Sequence, residues 1–256
     1  MSEQTTGITG VLHVEHQGAV RILRMNRPEK LNALNTDLLL ALHAALTVAD
    51  QDDEVRALVL TGNGRGFSAG ADLSEFRGEQ TPESVKRNLL RSELMGGIQI
   101  LLRKLSKPVV AAVHGAAIGG GAAFAVCCDM VVAGENLKFG YPELNHHLTP
   151  TGVMTSLLKQ VGPKIAFELI SLGGNLGAEE ALRLGLVNRV VPVETVLETA
   201  LRIAETWAEL DPVQMAATKN MFYRMSEMTF AEGLALGRDV SVGMRHLAAA
   251  KAKEAG

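Results

Sequence analysis

The chain has 256 residues, of which 47% are hydrophobic and 21% are charged, the ordinary composition of a globular protein that is large enough to bury a core. Its 25 basic and 28 acidic residues leave a net charge of −3, which gives no electrostatic reason to expect nucleic acid or an anionic membrane as a partner. The two cysteines, Cys127 and Cys128, are adjacent, so they predict buried thiols, not a disulfide framework or a zinc site. Neither end carries a recognisable targeting signal, and we therefore expect a cytoplasmic protein.

The first part of the chain alternates predicted strands and helices. Short apolar runs between turn residues predict strands, and leucine and alanine at helical spacing predict helices. In chain order we expect strand 20–25, helix 36–49, strand 54–60, a glycine-rich turn and a polar loop to residue 80, helix 81–104, strand 108–113, a turn, helix 122–128 and strand 130–133. The uncharged run 108–128 contains Pro108 and three consecutive glycines, which favours a buried strand, turn and helix over a membrane span. This order predicts an α/β fold.

Helical patterns dominate from residue 163 onward. The expected helices cover 163–172, 178–184, 193–210, 212–228 and 230–251. We therefore expect a mixed α/β core over residues 1–195 and a helical region over 196–256. Helices with apolar faces often pack against a second subunit, so the sequence also predicts a homo-oligomer.

Two glycine-rich segments follow predicted strands and are the candidates for chemistry. The first contains Gly62, Gly64 and Gly66, but a dinucleotide-binding loop needs glycine at the sixth position, which is Phe67 here. Residues 66–70 also fit G-x-S-x-G, the nucleophile elbow of serine hydrolases, with Ser68 as the nucleophile. The glycine-rich turn before Ser68 is too long for an elbow, so a small residue in a tight turn is the favoured interpretation.

Both glycine segments taken together suggest a third chemistry. Each offers backbone N–H groups, and Gly119 to Gly121 immediately precede a predicted helix, where unpaired donors favour negative charge. Two such donors converging on one carbonyl oxygen would form an oxyanion hole for an enolate or a tetrahedral anion. Spacing alone also fits glycines that serve close packing, and both interpretations stay open.

Four blocks of the sequence resemble the crotonase superfamily, also called the enoyl-CoA hydratase/isomerase family. They are NRPEKLNAL at 26–34, FSAGADL at 67–73, PVVAAVHGAAIGGGAAFAVCCDMVVAG at 108–134 and KFGYPEL at 138–144. The resemblance implies a ββα superhelical core, a C-terminal helical trimerisation region, and assembly as a homotrimer or homohexamer. It also implies an acyl-CoA thioester as substrate, with no metal and no redox cofactor.

The resemblance also implies roles for individual residues. By position, Ala71 and Gly120 match the residues whose backbone N–H groups form the oxyanion hole, and Glu143 matches a catalytic acid/base. The residues that match the CoA-binding positions are Lys30, Ser68, Ala69, Gly70, Asp72, Leu73 and Gly119.

One departure from the family pattern bears on the reaction. Hydratases of the well-known type carry two glutamates, and the first of these positions is Ala123 here, while a family glycine after the second appears as Thr151. Adding water needs a proton taken from water and a proton delivered to C2, which requires two positioned groups or one group that does both. Moving a double bond from C3=C4 to C2=C3 needs only one base, which removes a proton from C2 and returns it at C4. The sequence therefore slightly favours a Δ3,Δ2-enoyl-CoA isomerase over an atypical hydratase. A serine hydrolase and a non-catalytic acyl-CoA-binding protein are alternatives from other classes.

Overall fold

The computed structural model describes residues 4–76 and 81–254. Within them the strands are β1 Gln4–Thr9, β2 Leu12–Gln17, β3 Val20–Met25, β4 Ala57–Gly62, β5 Val109–Val113, β6 Ala116–Ile118, β7 Met130–Gly134, β8 Lys138–Gly140, β9 Asn175–Leu176 and β10 Arg189–Val191. The helices are α1 Thr36–Gln51, α2 Pro82–Lys104, α3 Gly120–Cys127, α4 Thr151–Val161, α5 Pro163–Leu172, α6 Ala178–Arg183, α7 Val196–Ala208, α8 Pro212–Met225 and α9 Phe230–Glu254. Short 3-10 helices at Leu73–Phe76 and Glu143–His146 carry residues that matter below.

The strands form two sheets. The larger has the order β1-β2-β3-β4-β5-β7-β10, and its strands run parallel from β3 onward, while β1 and β2 are antiparallel. Every residue of β4 and β5 is buried, as expected for parallel strands covered on both faces. The smaller sheet has the order β6-β8-β9. Successive strands thus alternate between the sheets before a helix follows, as in β5-β6-α3 and β7-β8-α4, which is a ββα arrangement.

Alternate residues of the central strands lie in two different apolar layers, one on each face of the sheet. Leu58 and Leu60 lie in the layer that contains α1, whereas Val59 lies in a layer with Val196 and Ala200 of α7. Because side chains of a strand alternate between its faces, this pattern explains the unbroken apolar run of β4. α7 thus packs on the sheet. The predicted division into a core over residues 1–195 and a helical region over 196–256 remains a prediction.

Most predicted elements are confirmed within a few residues, with strand 20–25 as β3 and helix 36–49 as the start of α1. The turn predicted over 116–118 is wrong, because these residues pair with both β8 and Ser68 and form β6. The strands β1, β2, β8, β9 and β10 and the helix α4 were not predicted. The last four residues of the predicted polar loop, 77–80, lie outside the described residues.

Most of the uncharged run of the sequence is buried in the protein. All residues of α3 are buried, and no helix among the described residues is long and apolar enough to cross a membrane. Cys127 and Cys128 are nearly inaccessible, and burial raises the pKa of Cys127 to about 12. The prediction of buried thiols is therefore confirmed.

Candidate active site

The two glycine segments lie side by side at the carboxyl ends of β4 and β5. Ser68 N–H donates to the carbonyl of Ala116 at 2.8 Å, and Ile118 N–H donates to the carbonyl of Ser68 at 3.0 Å. Gly70 has a φ of +83°, and a Cβ there would lie 2.6 Å from the Ile118 carbonyl oxygen. Only glycine allows this close approach, which brings the chain beyond Gly70 next to the start of α3.

Ala71 presents a backbone N–H that points away from its neighbouring segment. Leu34 N–H donates to the carbonyl of Gly70 at 2.7 Å, and Asp72 N–H donates to the carbonyl of Leu34 at 3.2 Å. In this parallel bridge between Leu34 and Ala71, the N–H and carbonyl of Ala71 itself face the opposite side. Among the described residues, no acceptor bonds the Ala71 N–H.

Gly120 supplies a second backbone N–H as the first residue of α3. Gly119 N–H donates to the carbonyl of Gly140 at 2.8 Å, and Ala123 N–H donates to the carbonyl of Gly119 at 2.9 Å, so the helix begins at Gly120 with an N–H that bonds to no described residue. A Cβ on Gly70 would lie 3.5 Å from the nitrogen of Gly120. Two unpaired N–H groups therefore lie at neighbouring positions, as an oxyanion hole requires.

Glu143 reaches the same place from the smaller sheet. It opens the 3-10 helix that follows β8, and a Cβ on Gly119 would lie 2.8 Å from its Oε1. Its Oε2 is buried and has no hydrogen-bond partner among the described residues. Burial raises the pKa of Glu143 above its ordinary value, and the backbone and His146 offset part of that rise. The arrangement provides a carboxylate that can accept a proton near the two unpaired N–H groups of Ala71 and Gly120.

Position 123, where the sequence has alanine in place of the first glutamate of well-known hydratases, lies on α3. Ala123 is fully buried and is joined to Gly119 by the first hydrogen bond of that helix. Its methyl group can neither hold a water molecule nor carry a proton. Thr151 begins α4 and is exposed.

The hydrogen bonds of Ser68 are those of a residue that stabilises a loop and not those of a nucleophile. It is fully buried, and its Oγ donates to the carbonyl of Asn32 at 2.9 Å and accepts from the N–H of Gly70 at 3.2 Å. A hydroxyl that donates to a main-chain carbonyl has no base to activate it. The side chain of Ser68 therefore shapes the loop, which does not support the hydrolase alternative.

Two other predicted CoA-binding residues are engaged within the protein. The carboxylate of Asp72 pairs with Arg27 at 2.9 Å and accepts from Ser74 Oγ at 2.6 Å. Burial raises the pKa of Asp72, but the hydrogen bonds from Ser74 and Arg27 outweigh it and leave the pKa below its ordinary value. Gly119 uses its N–H on Gly140. Both residues therefore contribute to the shape of the site.

Of the remaining residues of the predicted CoA-binding set, three are at least partly accessible and one is buried. Lys30 and Leu73 are exposed and Ala69 is partly exposed, while Gly70 forms the close turn described above. Ala69 N–H donates to the carbonyl of Leu31 at 2.8 Å. This bond holds the segment of Lys30 against the loop that leads to Ala71, so the geometry brings these residues to one side of the site.

Sequence reasoning missed Asn32, which braces the loop. Its fully buried side chain accepts from the N–H of Arg27 at 2.8 Å and donates to the carbonyls of Asn63 at 2.9 Å and Gly66 at 2.8 Å. Its φ is +55°, a conformation that asparagine tolerates better than most residues. An asparagine between a predicted strand and a predicted helix was the available signal.

Comparison with known proteins identifies the family of the chain. The family model for enoyl-CoA hydratase/isomerase matches residues 15–254. A probable enoyl-CoA hydratase of Rhizobium meliloti is 40% identical over 228 residues, which are 89% of this chain and 86% of that protein. The crystal structure of an enoyl-CoA hydratase from Bacillus anthracis superposes with a TM-score of 0.86 at 30% identity, over 92% of this chain and 91% of the other. A monofunctional enoyl-CoA isomerase from M. smegmatis superposes with a TM-score of 0.74 at 31% identity, over 88% and 98%. The chain therefore belongs to the enoyl-CoA hydratase/isomerase family, the crotonase superfamily.

Proposed function

We propose that this enzyme binds an acyl-CoA thioester and stabilises its enolate with the N–H groups of Ala71 and Gly120, while Glu143 moves the proton. The observation that carries the proposal is the buried, unpartnered Oε2 of Glu143 beside two N–H groups that no described residue accepts. A developing negative charge on the thioester oxygen is stabilised by such fixed donors more than the neutral carbonyl is. CoA is part of the substrate, and the proton transfers require no redox group.

The favoured reaction is isomerisation of a 3-enoyl-CoA to a 2-enoyl-CoA. Glu143 removes a proton from C2, the electrons delocalise into the thioester oxygen between Ala71 and Gly120, and the same carboxylic acid returns the proton at C4. The double bond thereby moves from C3=C4 to C2=C3 with no net change in atoms. One base suffices for both transfers, which matches a site with alanine at position 123.

Hydration of a 2-enoyl-CoA is the second candidate, because relatives such as the Rhizobium meliloti protein are described as hydratases. In that reaction Glu143 would both take a proton from water and deliver one to C2. Ala123 offers no second group to hold the water, so hydration would depend on Glu143 alone.

Rates on paired substrates test this choice. We expect the wild type to convert a 3-enoyl-CoA faster than it hydrates the 2-enoyl-CoA of the same chain length, and Ala123→Glu to raise hydration. Faster hydration by the wild type would refute the isomerase preference and establish the hydratase. Glu143→Gln should lower both rates by about 10²–10⁴, the usual contribution of a general base.

Substitution of Gly120 tests the oxyanion donor. Gly120→Pro removes the N–H at the first position of α3, where proline is otherwise compatible with a helix, and turnover should fall by roughly 10²–10³. Gly120→Ala is the matched control, because it keeps the N–H and its Cβ meets mainly the flexible end of Met95. Circular dichroism must show that both variants fold. Normal turnover in folded Gly120→Pro would end this assignment.

A further inference from the structure

A buried arginine on α2 contacts the structure around the proposed oxyanion donor without lying in the site itself. Arg91 is only 3% exposed, and its Nη2 donates to the carbonyl of Leu34 at 2.9 Å. Its guanidinium forms an ion pair with Glu75 and lies 4.9 Å from the ring centre of Phe76. Arginine stays charged in proteins, so its burial has an energetic cost that these contacts must offset.

Arg91 donates to the carbonyl of Leu34, the residue that hydrogen-bonds both chain neighbours of Ala71. Leu34 donates its N–H to Gly70 and accepts the N–H of Asp72, so its carbonyl oxygen carries two hydrogen bonds, one from Asp72 and one from Arg91. Fixing this carbonyl fixes the plane of the bridge from which the Ala71 N–H points. A rotation of that bridge would redirect the donor.

The ion-pair partner of Arg91 lies on the segment that follows the donor. Glu75 is four residues after Ala71, and its carboxylate also accepts the N–H of Thr36 at 3.1 Å, at the start of α1. Arg91 therefore holds both the chain after Ala71, through Glu75, and the neighbouring chain, through Leu34. These are the two backbone segments that determine where the Ala71 N–H points.

We propose that Arg91 is a positioning residue that keeps the Ala71 N–H directed at the thioester carbonyl oxygen. The inference rests on the proposed function, because it assumes that this N–H is an oxyanion donor. A small misplacement of a catalytic group can lower turnover by as much as about 10²-fold. A purely structural ion pair would instead affect stability and leave turnover per folded molecule unchanged.

Three substitutions separate positioning from stability. Arg91→Met removes the donor and leaves the Glu75 carboxylate without its cation. The double variant Arg91→Met/Glu75→Gln removes the uncompensated charge while the side-chain amide oxygen can still accept the N–H of Thr36, so it should fold more stably than the single variant. Arg91→Lys keeps the charge and part of the hydrogen bonding. Arg87→Met, at an exposed arginine one turn earlier on α2, is the matched control.

Two readouts are measured on folded protein, as judged by circular dichroism. The first is kcat and KM on the preferred enoyl-CoA. The second is the absorbance of a bound 4-dimethylaminocinnamoyl-CoA, whose maximum moves to longer wavelength when hydrogen bonds polarise its carbonyl. We expect kcat to fall roughly 10- to 10²-fold in the double variant, with KM changed little and the red shift reduced. Arg91→Lys should recover part of both, and Arg87→Met should match the wild type.

The outcomes distinguish a failure of the role given to Arg91 from a failure of the proposed oxyanion hole. A double variant with wild-type kcat and a wild-type red shift would refute the role of Arg91 and leave the oxyanion hole standing. A wild type that binds the probe without any red shift would refute the oxyanion hole, and the role of Arg91 with it. If Arg91→Met does not fold, the double variant and Arg91→Lys give the answer.

Discussion

The backbone conformation at position 119 favours glycine, and the glutamate that faces it leaves little room for a side chain. Its φ is +54°, and a side chain there would collide with Oε1 of Glu143, 2.8 Å from the Cβ position. The backbone conformation of Gly119 and its N–H bond to Gly140 also place the next residue, Gly120, at the start of α3. One small residue therefore accommodates the carboxylate and positions the neighbouring donor.

Neutralising Glu143 should stabilise the protein at neutral pH while it lowers turnover. Burial raises the pKa of Glu143 from its ordinary value of 4.5, so the folded protein binds this proton more tightly than the unfolded chain. The resulting stability is present below pH 4.5 and is lost as the pH rises through the higher folded-state pKa. We expect Glu143→Gln to have a higher Tm than the wild type at about pH 7, with the difference shrinking towards about pH 4.

Thermal unfolding at several pH values measures this effect. Glu135→Gln, at an exposed loop residue, controls for the loss of one negative charge and should show no such pH-dependent gain. A Glu143→Gln protein that is less stable than the wild type at neutral pH would mean that the carboxylate is paired in the folded state, and would contradict the unpartnered state of its Oε2.

The residues of the site differ in how far the sequence could predict them. Ala71, Gly120 and Glu143 follow from short blocks whose order resembles a family, and their neighbouring positions in the structure fit the predicted roles. Arg91 could not be found this way, since its partner Leu34 is 57 positions away and no local pattern marks the pair. Ser68 carried a motif typical of hydrolases, but its partner, a main-chain carbonyl, is visible only in the fold.

At the scale of elements, a buried lysine fastens α8 to the core. Lys219 Nζ donates to the carbonyls of Leu102 at 2.8 Å and Lys107 at 2.9 Å, and pairs with Asp129 at 2.7 Å. Tyr223, one turn further along α8, donates to the same carboxylate at 2.9 Å. These bonds connect α8 with the end of α2 and the starts of β5 and β7.

Removing this lysine should loosen α8. Lys219→Met leaves Asp129 without its cation and two carbonyls without a donor, so the free energy of unfolding should fall by about 3–5 kcal/mol. Lys159→Met is the matched control, because Lys159 pairs with Glu227 on the surface, where such pairs contribute little. Denaturant unfolding of both variants measures the difference, and equal stability of the two would contradict the role given to Lys219.

The predicted elements and the shortest strands that were missed differ in their source of stability. Strand β3 and helix α1 have apolar patterns that local sequence reveals. Strand β6 has three residues and exists because it pairs with β8 and with Ser68, and β9 has two residues that pair with β8. Such short strands depend on tertiary pairing, and their sequences carry no periodicity to detect.

At the scale of the whole molecule, large apolar side chains remain exposed on the later helices. Phe167 and Leu172 of α5 are 73% and 72% exposed, and Phe222 of α8 and Phe230 of α9 are 67% and 84% exposed. Exposed apolar side chains that form one contiguous patch are typical of a surface that contacts another protein. They agree with the expectation that copies of this chain associate.

Sedimentation equilibrium tests this expectation. We predict a mass that corresponds to a homotrimer or homohexamer of the 27.3 kDa chain, and Phe230→Glu should shift the protein towards smaller species because it places a charge in an apolar contact. Ala44→Glu, at an exposed position of α1, is the control and should leave the mass unchanged. A wild type that sediments as a monomer at micromolar concentration would contradict the prediction.

The most direct test of the central claim follows the proton at C2. When a 3-enoyl-CoA that carries deuterium at C2 is incubated with the enzyme, removal of that deuteron by Glu143 through an enolate should exchange the label from C2, either to C4 or to water, which mass spectrometry and NMR detect. We predict exchange by the wild type, a loss of about 10²–10⁴-fold in Glu143→Gln, and binding of the CoA thioester that is nearly unchanged. Exchange at the wild-type rate in Glu143→Gln would contradict the assignment of Glu143 as the group that moves the proton.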